Sequence, residues 1–396
     1  MAMHDNPTLT HLLDRVRAAR ADRMPLAITG GGTKAFYGEA AQGQPLDVTA
    51  LAGITSYEPS ELVVTVRGGT PLAELEAALA EKGQCLPFEP PRFKSPAYSV
   101  TDASNDLIGS DAARRAPAGA TVGGMVAAGL AGPSRAAAGS VRDHVLGTTL
   151  LSGRAEVLSF GGTVMKNVAG YDVSRLLAGS MGTLGVILEV SLKVLPVAPS
   201  TATLRFEMDE AAALQQLNAW GGQPLPVNAS AWWNGTLVLR LSGATAAVQS
   251  AVAKLGGEGV DAALAAGFWA GLRDHSDEFF VSAIQALGSG ATLWRLGVPQ
   301  TAPPLQLSGE QLVEWGGAQR WVVTSAAAHV LREAAARVGG HATVFRSGGG
   351  TGTGAPGAGT ARFAPLSAPL ARIHREMKLA FDPDRIFNPG RLYADM

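Results

Sequence analysis

Residues 166–187 read KNVAGYDVSRLLAGSMGTLGVI, and this stretch organises the interpretation of the whole chain. Glycines at positions 179, 182 and 185 follow a short apolar segment with helical spacing, and a β-branched run begins at Val186. Glycine has no Cβ, so this spacing allows a tight turn and a close approach of the backbone to a ligand. The pattern predicts a helix, a glycine turn and a half-buried strand, and for this stretch alone an ordinary structural turn is the simpler interpretation.

Three further stretches carry related signals. They are ITGGGTK at 28–34, ATVGGMVAAGLAG at 120–132 and FNPG at 387–390. The first follows a predicted strand, and consecutive backbone amides in such a loop form a concavity that binds anions. Lys34 adds a positive charge to that loop. A second predicted strand, 61–67, leads to a helix for which Thr70 is the expected N-cap and Pro71 the first helical residue.

Taken together and in this order, the four glycine-containing stretches resemble the FAD-binding domain of the vanillyl-alcohol oxidase family of flavoproteins. Within that family, the likeness is greatest to the second flavin subunits of bacterial glycolate oxidases. The resemblance covers most of residues 22–200 and a short C-terminal piece. It implies an α+β fold with a two-lobed, PCMH-type FAD-binding domain and an α+β cap domain.

Composition narrows the classes of function. The chain has 396 residues, of which 46% are hydrophobic and 16% charged, as expected for a globular protein with a large core. A net charge of −1 without a dense basic run argues against nucleic-acid binding. The single cysteine, Cys85, excludes internal disulfides and iron–sulfur ligation by this chain alone. The N-terminus lacks the apolar region of a signal peptide, which predicts a cytoplasmic protein.

The predicted organisation has four parts. They are an FAD-binding domain at 1–199 with an insertion at about 92–119, a cap domain at 200–346, a flexible glycine-rich loop at 347–360 and a C-terminal segment at 361–396 that returns to the flavin domain. Residues 352–357 match the pattern G-x-G-x-x-G. However, Pro356 and the absence of a following helix argue against a dinucleotide fingerprint there.

The resemblance implies that FAD lies between the two lobes of the first domain. Amides of residues 30–34 and 121–124 would hold its pyrophosphate, and Gly182, Gly185 and Ile187 would line the adenine and ribityl path. Asn388 would approach the flavin ring, or simply stabilise a tight turn; Asp143 would contact the cofactor, or simply cap a helix. The candidate cofactor residues are Gly30, Gly31, Gly32, Thr33, Lys34, Thr121, Val122, Gly123, Gly124, Arg142, Asp143, Gly182, Gly185, Ile187 and Asn388.

Two features of the sequence bear on how FAD is held. Met181 stands where the family usually carries an acidic residue, so one contact in the third glycine stretch is missing. The loop at 30–34 has no histidine, and Cys85 lies outside any attachment motif. We therefore predict a non-covalent, dissociable FAD.

Candidate catalytic residues are few. Oxidation of a 2-hydroxy acid needs a base for the hydroxyl proton, a cation for the carboxylate and a hydride acceptor. The seven histidines are scattered without metal-ligand spacing, so no metal site is predicted. His341 and Arg346, on one predicted strand, are the best candidates for base and carboxylate anchor. A surface or structural role for both is the simpler interpretation.

The first hypothesis is therefore an FAD-binding subunit of a glycolate oxidase complex. The resemblance implies two partners, a larger FAD subunit and an iron–sulfur subunit, with electrons from glycolate passing to the membrane quinone pool. Membrane association would then occur only through the complex. Two alternatives stay open: a stand-alone FAD-dependent dehydrogenase of a 2-hydroxy acid or alcohol, and a structural subunit that has lost FAD, as Met181 suggests.

Overall fold

The computed structural model describes residues 6–93, 119–163, 172–348 and 360–396. Four sequence predictions lie wholly or partly outside these ranges: the insertion at about 92–119, the first residues of the 166–187 stretch, the flexible loop at 347–360 and the G-x-G-x-x-G match at 352–357.

Helices and strands alternate irregularly along the chain. The helices in the described residues are α1 Pro7–Asp22, α2 Leu72–Ala80, α3 Val122–Ala128, α4 Arg135–Ala138, α5 Val141–His144, α6 Val173–Leu176, α7 Glu210–Gly221, α8 Thr245–Leu255, α9 Ala262–Asp274, α10 Glu278–Leu287, α11 Ala328–Arg337 and α12 Ala368–Phe381. The strands there are β1 Leu26–Thr29, β2 Gln44–Asp47, β3 Ile54–Glu58, β4 Val63–Arg67, β5 Gln84–Cys85, β6 Val145–Leu151, β7 Val157–Gly161, β8 Val186–Lys193, β9 Leu195–Pro196, β10 Ser200–Glu207, β11 Val227–Trp233, β12 Thr236–Gly243, β13 Glu258–Gly259, β14 Thr292–Gly297, β15 Glu310–Glu314, β16 Gln319–Thr324 and β17 His341–Ser347.

The strand that leaves the third glycine stretch, β8, is the centre of the first sheet. In the described residues this sheet has the order β3-β4-β8-β6-β7, and every pair in it is antiparallel. Burial of β8 on both faces explains its nearly continuous apolar sequence. Helices α2 and α3 supply buried side chains, such as Leu75 and Val126, to the core beneath it. The predicted helix–turn–strand is thus the structural centre of this sheet.

A smaller lobe precedes this sheet. Strands β1 and β2 pair in parallel, and α1 packs its buried face on them through Leu9, Leu12 and Val16. Asn6 caps α1 by accepting a hydrogen bond from the Thr8 amide at 2.9 Å. The C-terminal segment returns to this lobe, where Phe387 forms a parallel bridge with Leu26.

Residues 200–347 build a second, antiparallel sheet. Its order within the described residues is β13-β10-β12-β11-β15-β16-β14-β17. Alternate side chains point to opposite faces: Trp294, Leu296 and Val344 share one core with Leu331 of α11. On the other face, Trp321 and Phe345 share a core with Tyr37 and Met181 of the first domain. This second face therefore packs on the glycine-containing half of the chain.

The predicted N-cap of α2 needs correction. Pro71, not Thr70, occupies the cap position, and α2 begins at Leu72. The Thr70 hydroxyl instead accepts a hydrogen bond from the Gly53 amide at 2.9 Å. The backbone carbonyl of Thr70 accepts from Val122, so this residue ties the strand–helix turn to α3.

Candidate functional site

The loop at 30–34 leaves β1 with its backbone donors free. None of its five amides donates a hydrogen bond to another described residue, whereas the Ala35 amide closes the loop on the Gly32 carbonyl at 3.0 Å. Thr33 is buried, and the glycines beside it are half-buried or exposed. Five successive free amides form a donor set that suits an anion.

Two cations face the same aromatic ring beside this loop. The Lys34 ammonium lies 5.7 Å from the centroid of the Phe93 ring, and the Arg346 guanidinium carbon lies 5.5 Å from it. The Arg346 guanidinium also lies 3.4 Å from the centroid of the Phe36 ring. Burial lowers the pKa of Lys34 to about 8, although Asp274 acts in the opposite direction, and burial lowers the pKa of Arg346 to about 10.

The Arg346 cation has no balancing partner in the described part of the chain. It makes no ion pair there, and its buried Nε has no hydrogen-bond acceptor. An unpaired buried charge is costly. The free amides, Lys34 and Arg346 together fit a doubly charged phosphate group such as the diphosphate of FAD.

The second glycine stretch has a different role from the one predicted. The Val122 amide donates to the Thr70 carbonyl at 2.9 Å, and the Gly123 amide donates to the Gly68 carbonyl at 2.7 Å. The Gly124 amide donates to the Thr121 hydroxyl at 3.2 Å. These three amides are consumed in fixing α3 to the neighbouring turn, so they are not available to a pyrophosphate. Of the four predicted amides, only that of Thr121 is free among the described residues.

Contact between the first and second glycine stretches is close. A Cβ placed on Gly30 would lie 2.5 Å from Thr121 Oγ1, far inside van der Waals contact. Gly30 is therefore required here by packing, rather than by an unusual backbone angle. The Thr121 side chain therefore packs directly against Gly30.

Asn388 joins the first lobe to the third glycine stretch. Its Oδ1 accepts a hydrogen bond from the Ile28 amide at 2.8 Å, and its Nδ2 donates to the Met181 carbonyl at 2.7 Å. A Cβ on Gly182 would lie 2.6 Å from that Nδ2. The Asn388 amide is thus engaged with the backbone, which supports the tight-turn interpretation of this residue.

A buried ion pair that the sequence did not indicate also stabilises the contact between the C-terminal segment and the third glycine stretch. Lys378 is 1% exposed, and its Nζ donates to Asp382 Oδ2 at 2.7 Å, to the Thr183 carbonyl at 2.7 Å and to the Phe387 carbonyl at 2.6 Å. Asp382 also accepts from the Ile386 and Phe387 amides. Lys378 lies in the last turn of α12 and Asp382 directly follows that helix, a spacing that is also typical of exposed pairs, so the sequence carried no signal for this contact.

The remaining predicted cofactor residues are dispersed. The Asp143 carboxylate accepts hydrogen bonds from the Ser140 amide and hydroxyl in a capping box. The hydrogen bond from the Ser140 amide is the largest of the effects that lower the pKa of this carboxyl. Arg142 is exposed beside it. Gly185 has φ 151°, and Ile187 is buried in β8 opposite Leu150. Asp143 is therefore a helix cap, as the alternative interpretation expected.

The structure does not bring His341 and Arg346 together. They lie at opposite ends of β17, five residues apart, which corresponds to about 16 Å along a strand. His341 pairs with Gly297, whereas Arg346 lies over Phe36 near the loop at 30–34. The prediction that they act as base and anchor on one small substrate is therefore corrected.

A polar row that sequence reasoning missed crosses the face of the second sheet that packs on the first domain. Backbone pairing aligns Glu314, Gln319, Gly297 and His341 across four strands. Gln319 donates to Glu314 Oε2 at 3.0 Å and accepts from Arg295 Nε at 2.7 Å. These residues come from four separate strands, so only the register brings them together.

Neither a metal cluster nor a membrane span is found in the described residues. No group of three or more His, Cys, Asp or Glu side chains there is placed to hold a metal ion. No helix within those ranges has both the length and the apolar character needed to cross a bilayer.

Comparison with known proteins gives consistent results. A family model described as an FAD binding domain matches residues 8–100. The chain is 44% identical over 385 residues to glycolate oxidase subunit GlcE of Escherichia coli (strain K12), and the match covers 97% of both chains.

More distant similarity covers about half of the chain. The sequence is 28% identical over 192 residues to D-lactate dehydrogenase of Anaerostipes hadrus, covering 48% of this chain and 35% of that one. It is 27% identical over 195 residues to glycolate oxidase subunit GlcD of Bacillus subtilis (strain 168), covering 48% and 36%. A solved structure of alkyldihydroxyacetonephosphate synthase superposes with a TM-score of 0.61 over 96% of this chain and 75% of that one, at 14% identity, which supports the fold alone.

Proposed function

The chain belongs to the family of glycolate oxidase subunit GlcE, and on that premise we propose that it is the FAD-binding subunit of a glycolate oxidase complex. The complex oxidises glycolate to glyoxylate and passes the electrons to an iron–sulfur partner and the quinone pool. FAD is bound non-covalently. The substrate is inferred from the name of the GlcE relative, and the cofactor has separate support in the family model and in the site itself.

The observation that carries the cofactor assignment is the donor set around the loop at 30–34. Its free amides can donate hydrogen bonds to a diphosphate at close range, because the three glycines present no side chains to it. Lys34 and Arg346 supply two positive charges, and neither forms an ion pair in the described chain, although the Asp274 carboxyl acts on Lys34. A phosphate dianion would remove this imbalance, and charged hydrogen bonds of this kind are stronger than neutral ones.

Other residues position this loop. Asn388 joins the strand before it to Met181, and Lys378 joins the C-terminal turn to Thr183. Bound FAD supplies the acceptor for the hydride that leaves C2 of a 2-hydroxy acid. The protein's part is to hold the cofactor at the interface of the two lobes and to keep the site closed by the second sheet.

Partner proteins follow from the subunit character of the relatives. GlcE and GlcD are both named as subunits of glycolate oxidase. We propose a larger FAD subunit, similar to GlcD, and an iron–sulfur subunit as partners, with attachment to the membrane only through the complex. Iron–sulfur ligation requires cysteines that this chain, with Cys85 alone, does not offer.

Flavin content is the first test. The purified chain is examined for flavin absorption, precipitated with acid, and the supernatant analysed for free FAD. Chromophore in the supernatant is the expected result, whereas chromophore retained in the pellet contradicts non-covalent binding. A colourless chain that also fails to take up added FAD contradicts the cofactor assignment.

A substitution tests the site itself. Arg346→Gln removes one of the two unpaired cations and should weaken FAD binding about tenfold or more, because a hydrogen bond to a charged group contributes roughly 1.5–3 kcal/mol. Arg337→Gln, at the exposed end of α11, is the matched control and should bind FAD like the unmodified chain. Equal affinity in both variants would contradict the role of Arg346.

Partners are tested by tagged purification from the native host. Recovery of a second flavoprotein and an iron–sulfur protein with the chain is expected. Rapid flavin reduction by glycolate in the isolated chain would instead favour the stand-alone dehydrogenase.

A further inference from the structure

Two guanidinium groups lie against one indole ring where the two halves of the chain meet. Arg135 of α4 is 4.5 Å from the centroid of the Trp315 ring, and Arg295 of β14 is 5.2 Å from it. Each distance is within the range of about 6 Å for a cation–π contact with the ring. The two guanidinium carbons are therefore no more than about 10 Å apart. We call Arg135 and Arg295 the guanidinium pair.

The guanidinium pair has almost no polar partners. Within the described ranges, neither arginine forms an ion pair with a carboxylate. The Arg135 guanidinium makes no hydrogen bond there, and that of Arg295 makes only the bond from Nε to Gln319. Both side chains are half-buried, so several N–H donors remain accessible to a ligand.

This arrangement is electrostatically unfavourable without an anion. The two like charges repel, and burial together with the charge of Arg295 lowers the pKa of Arg135, against a smaller opposing effect of Asp143. Many other arginines of the chain are paired: Arg240, for example, lies 2.8 Å from Glu89. The guanidinium pair is thus positioned to receive an external negative charge.

The surroundings hold both arginines in place. Trp315 is buried, and its Nε1 donates to the Gly132 carbonyl at 3.0 Å, which fixes the indole against the segment that leads into α4. Gln319 orients Arg295 from one side and is itself held by Glu314. Such pre-organisation lowers the entropic cost of binding a small ligand.

His341 lies on the same face of the sheet. The register places it opposite Gly297 and places Arg295 opposite Thr343, so His341 and Arg295 are diagonal neighbours with Cα atoms about 7–8 Å apart. A Cβ on Gly297 would lie 2.8 Å from the imidazole, so the glycine makes room for the ring. Burial, and secondarily Arg295, lowers the pKa of His341. A neutral imidazole can both donate and accept a hydrogen bond.

We propose that Arg135 and Arg295 bind the carboxylate of a small 2-hydroxy or 2-oxo acid, with His341 directed at its 2-oxygen. The planar guanidinium fork matches a carboxylate, and the uncharged imidazole matches a hydroxyl or carbonyl oxygen. The substrate class rests on the proposed function. With this site, the chain would bind substrate itself, in addition to holding FAD.

The experiment measures glycolate binding to the purified full chain by calorimetry. Arg135→Gln and Arg295→Gln should each weaken glycolate binding about tenfold or more. Arg205→Gln is the control, because Arg205 lies on the same sheet but is paired with Glu207 and Glu258 at 3.4 and 3.2 Å. It should leave binding unchanged, and glycolamide, which lacks the negative charge, should not bind.

Three results would overturn the proposal: glycolate affinity unchanged in both arginine variants, glycolamide binding as tightly as glycolate, or inorganic phosphate competing as well as glycolate. The variants Arg135→Lys and Arg295→Lys keep the charge without the fork, and circular dichroism verifies their folding. Intermediate affinity in these folded variants supports the geometry, and affinity equal to that of the unmodified chain contradicts it.

Flavin content measured on the same samples separates this inference from the proposed function. A chain without flavin that still binds glycolate through the two arginines would support the site and contradict the cofactor assignment. A flavin-containing chain whose glycolate affinity is unchanged by both substitutions would contradict the proposed glycolate site and leave the cofactor assignment intact.

Discussion

Glu314 provides the sharpest prediction about stability. This residue is 3% exposed, and a single oxygen, Oε2, accepts hydrogen bonds from Trp321 Nε1 at 2.6 Å and from Gln319 Nε2 at 3.0 Å. Burial raises the pKa of Glu314 from its ordinary value of 4.5 to about 7, against the opposing effect of those two hydrogen bonds. Nearby Asp277 acts in the same direction as burial. The folded protein therefore holds this side chain protonated well above the pH at which the unfolded chain releases its proton.

The sign and size of the effect follow from proton linkage. Between pH 4.5 and about 7 the folded state binds more protons at Glu314 than the unfolded state does, so the free energy of unfolding falls as pH rises through this window. The loss is complete above about pH 7 and amounts to roughly 3 kcal/mol. Glu314→Gln cannot ionise, and its side-chain carbonyl can accept both hydrogen bonds. The variant should exceed the unmodified protein by only about 1 kcal/mol near pH 5 and by roughly 3 kcal/mol near pH 8.5.

Urea unfolding followed by tryptophan fluorescence at both pH values measures this difference. The control is Glu310→Gln: Glu310 also accepts an indole hydrogen bond, from Trp233 at 2.8 Å, but it lies on the exposed end of β15. That variant should follow the pH profile of the unmodified protein. Asp277, whose pKa is likewise raised to about 6 by burial, is present in all three proteins and largely cancels from the comparison. Parallel profiles for Glu314→Gln and the unmodified protein would refute the reasoning.

Two further substitutions test how the glycine stretches are fastened together. Lys378→Met leaves the Asp382 carboxylate buried without its cation and should lower the free energy of unfolding by about 3–5 kcal/mol, measured by urea unfolding. Arg372→Met, on the exposed face of the same helix, should change it little, and equal effects would contradict the buried-pair argument. Gly30→Ala should cost about 1–3 kcal/mol, because its Cβ would collide with the Thr121 hydroxyl. Combining it with Thr121→Ala should recover part of that cost, whereas additive costs would show that the collision is relieved elsewhere.

Local signals predicted much of the first domain. The α+β, FAD-binding fold class expected from the glycine stretches is confirmed by the family model and the structural comparison. The predicted strand before the loop at 30–34 and the predicted strand at 61–67 correspond to β1 and β4, and the helix predicted after the second strand is α2. Each of these elements is specified by neighbouring residues, through apolar spacing or Gly and Pro punctuation. The division into domains stays a prediction.

The cofactor site was predictable only where the chain itself forms it. The loop at 30–34 presents its own amides, so its sequence is sufficient to suggest anion binding. The amides at 122–124 looked equivalent, yet contacts with Gly68 and Thr70 consume two of them. Arg346 lies beside Phe36, more than three hundred residues earlier in the chain, and nothing near residue 346 indicates that partner. Long-range pairing of this kind cannot be derived from spacing.

The polar row on the second sheet has a consequence for the role of this subunit. A chain that served only as a scaffold would gain stability from apolar side chains at such half-buried positions, because unpaired buried charges cost more than they return. Arg135 and Arg295 instead meet at Trp315 without an ion pair in the described residues, although the Asp143 and Glu314 carboxyls act on them from beyond ion-pair distance; Gln319 and Glu314 hold Arg295 in place. The electrostatic repulsion between two neighbouring cations is offset when an anion binds to them during turnover. The site that we propose would make this chain a subunit that binds a small acid itself, rather than one that only carries the cofactor.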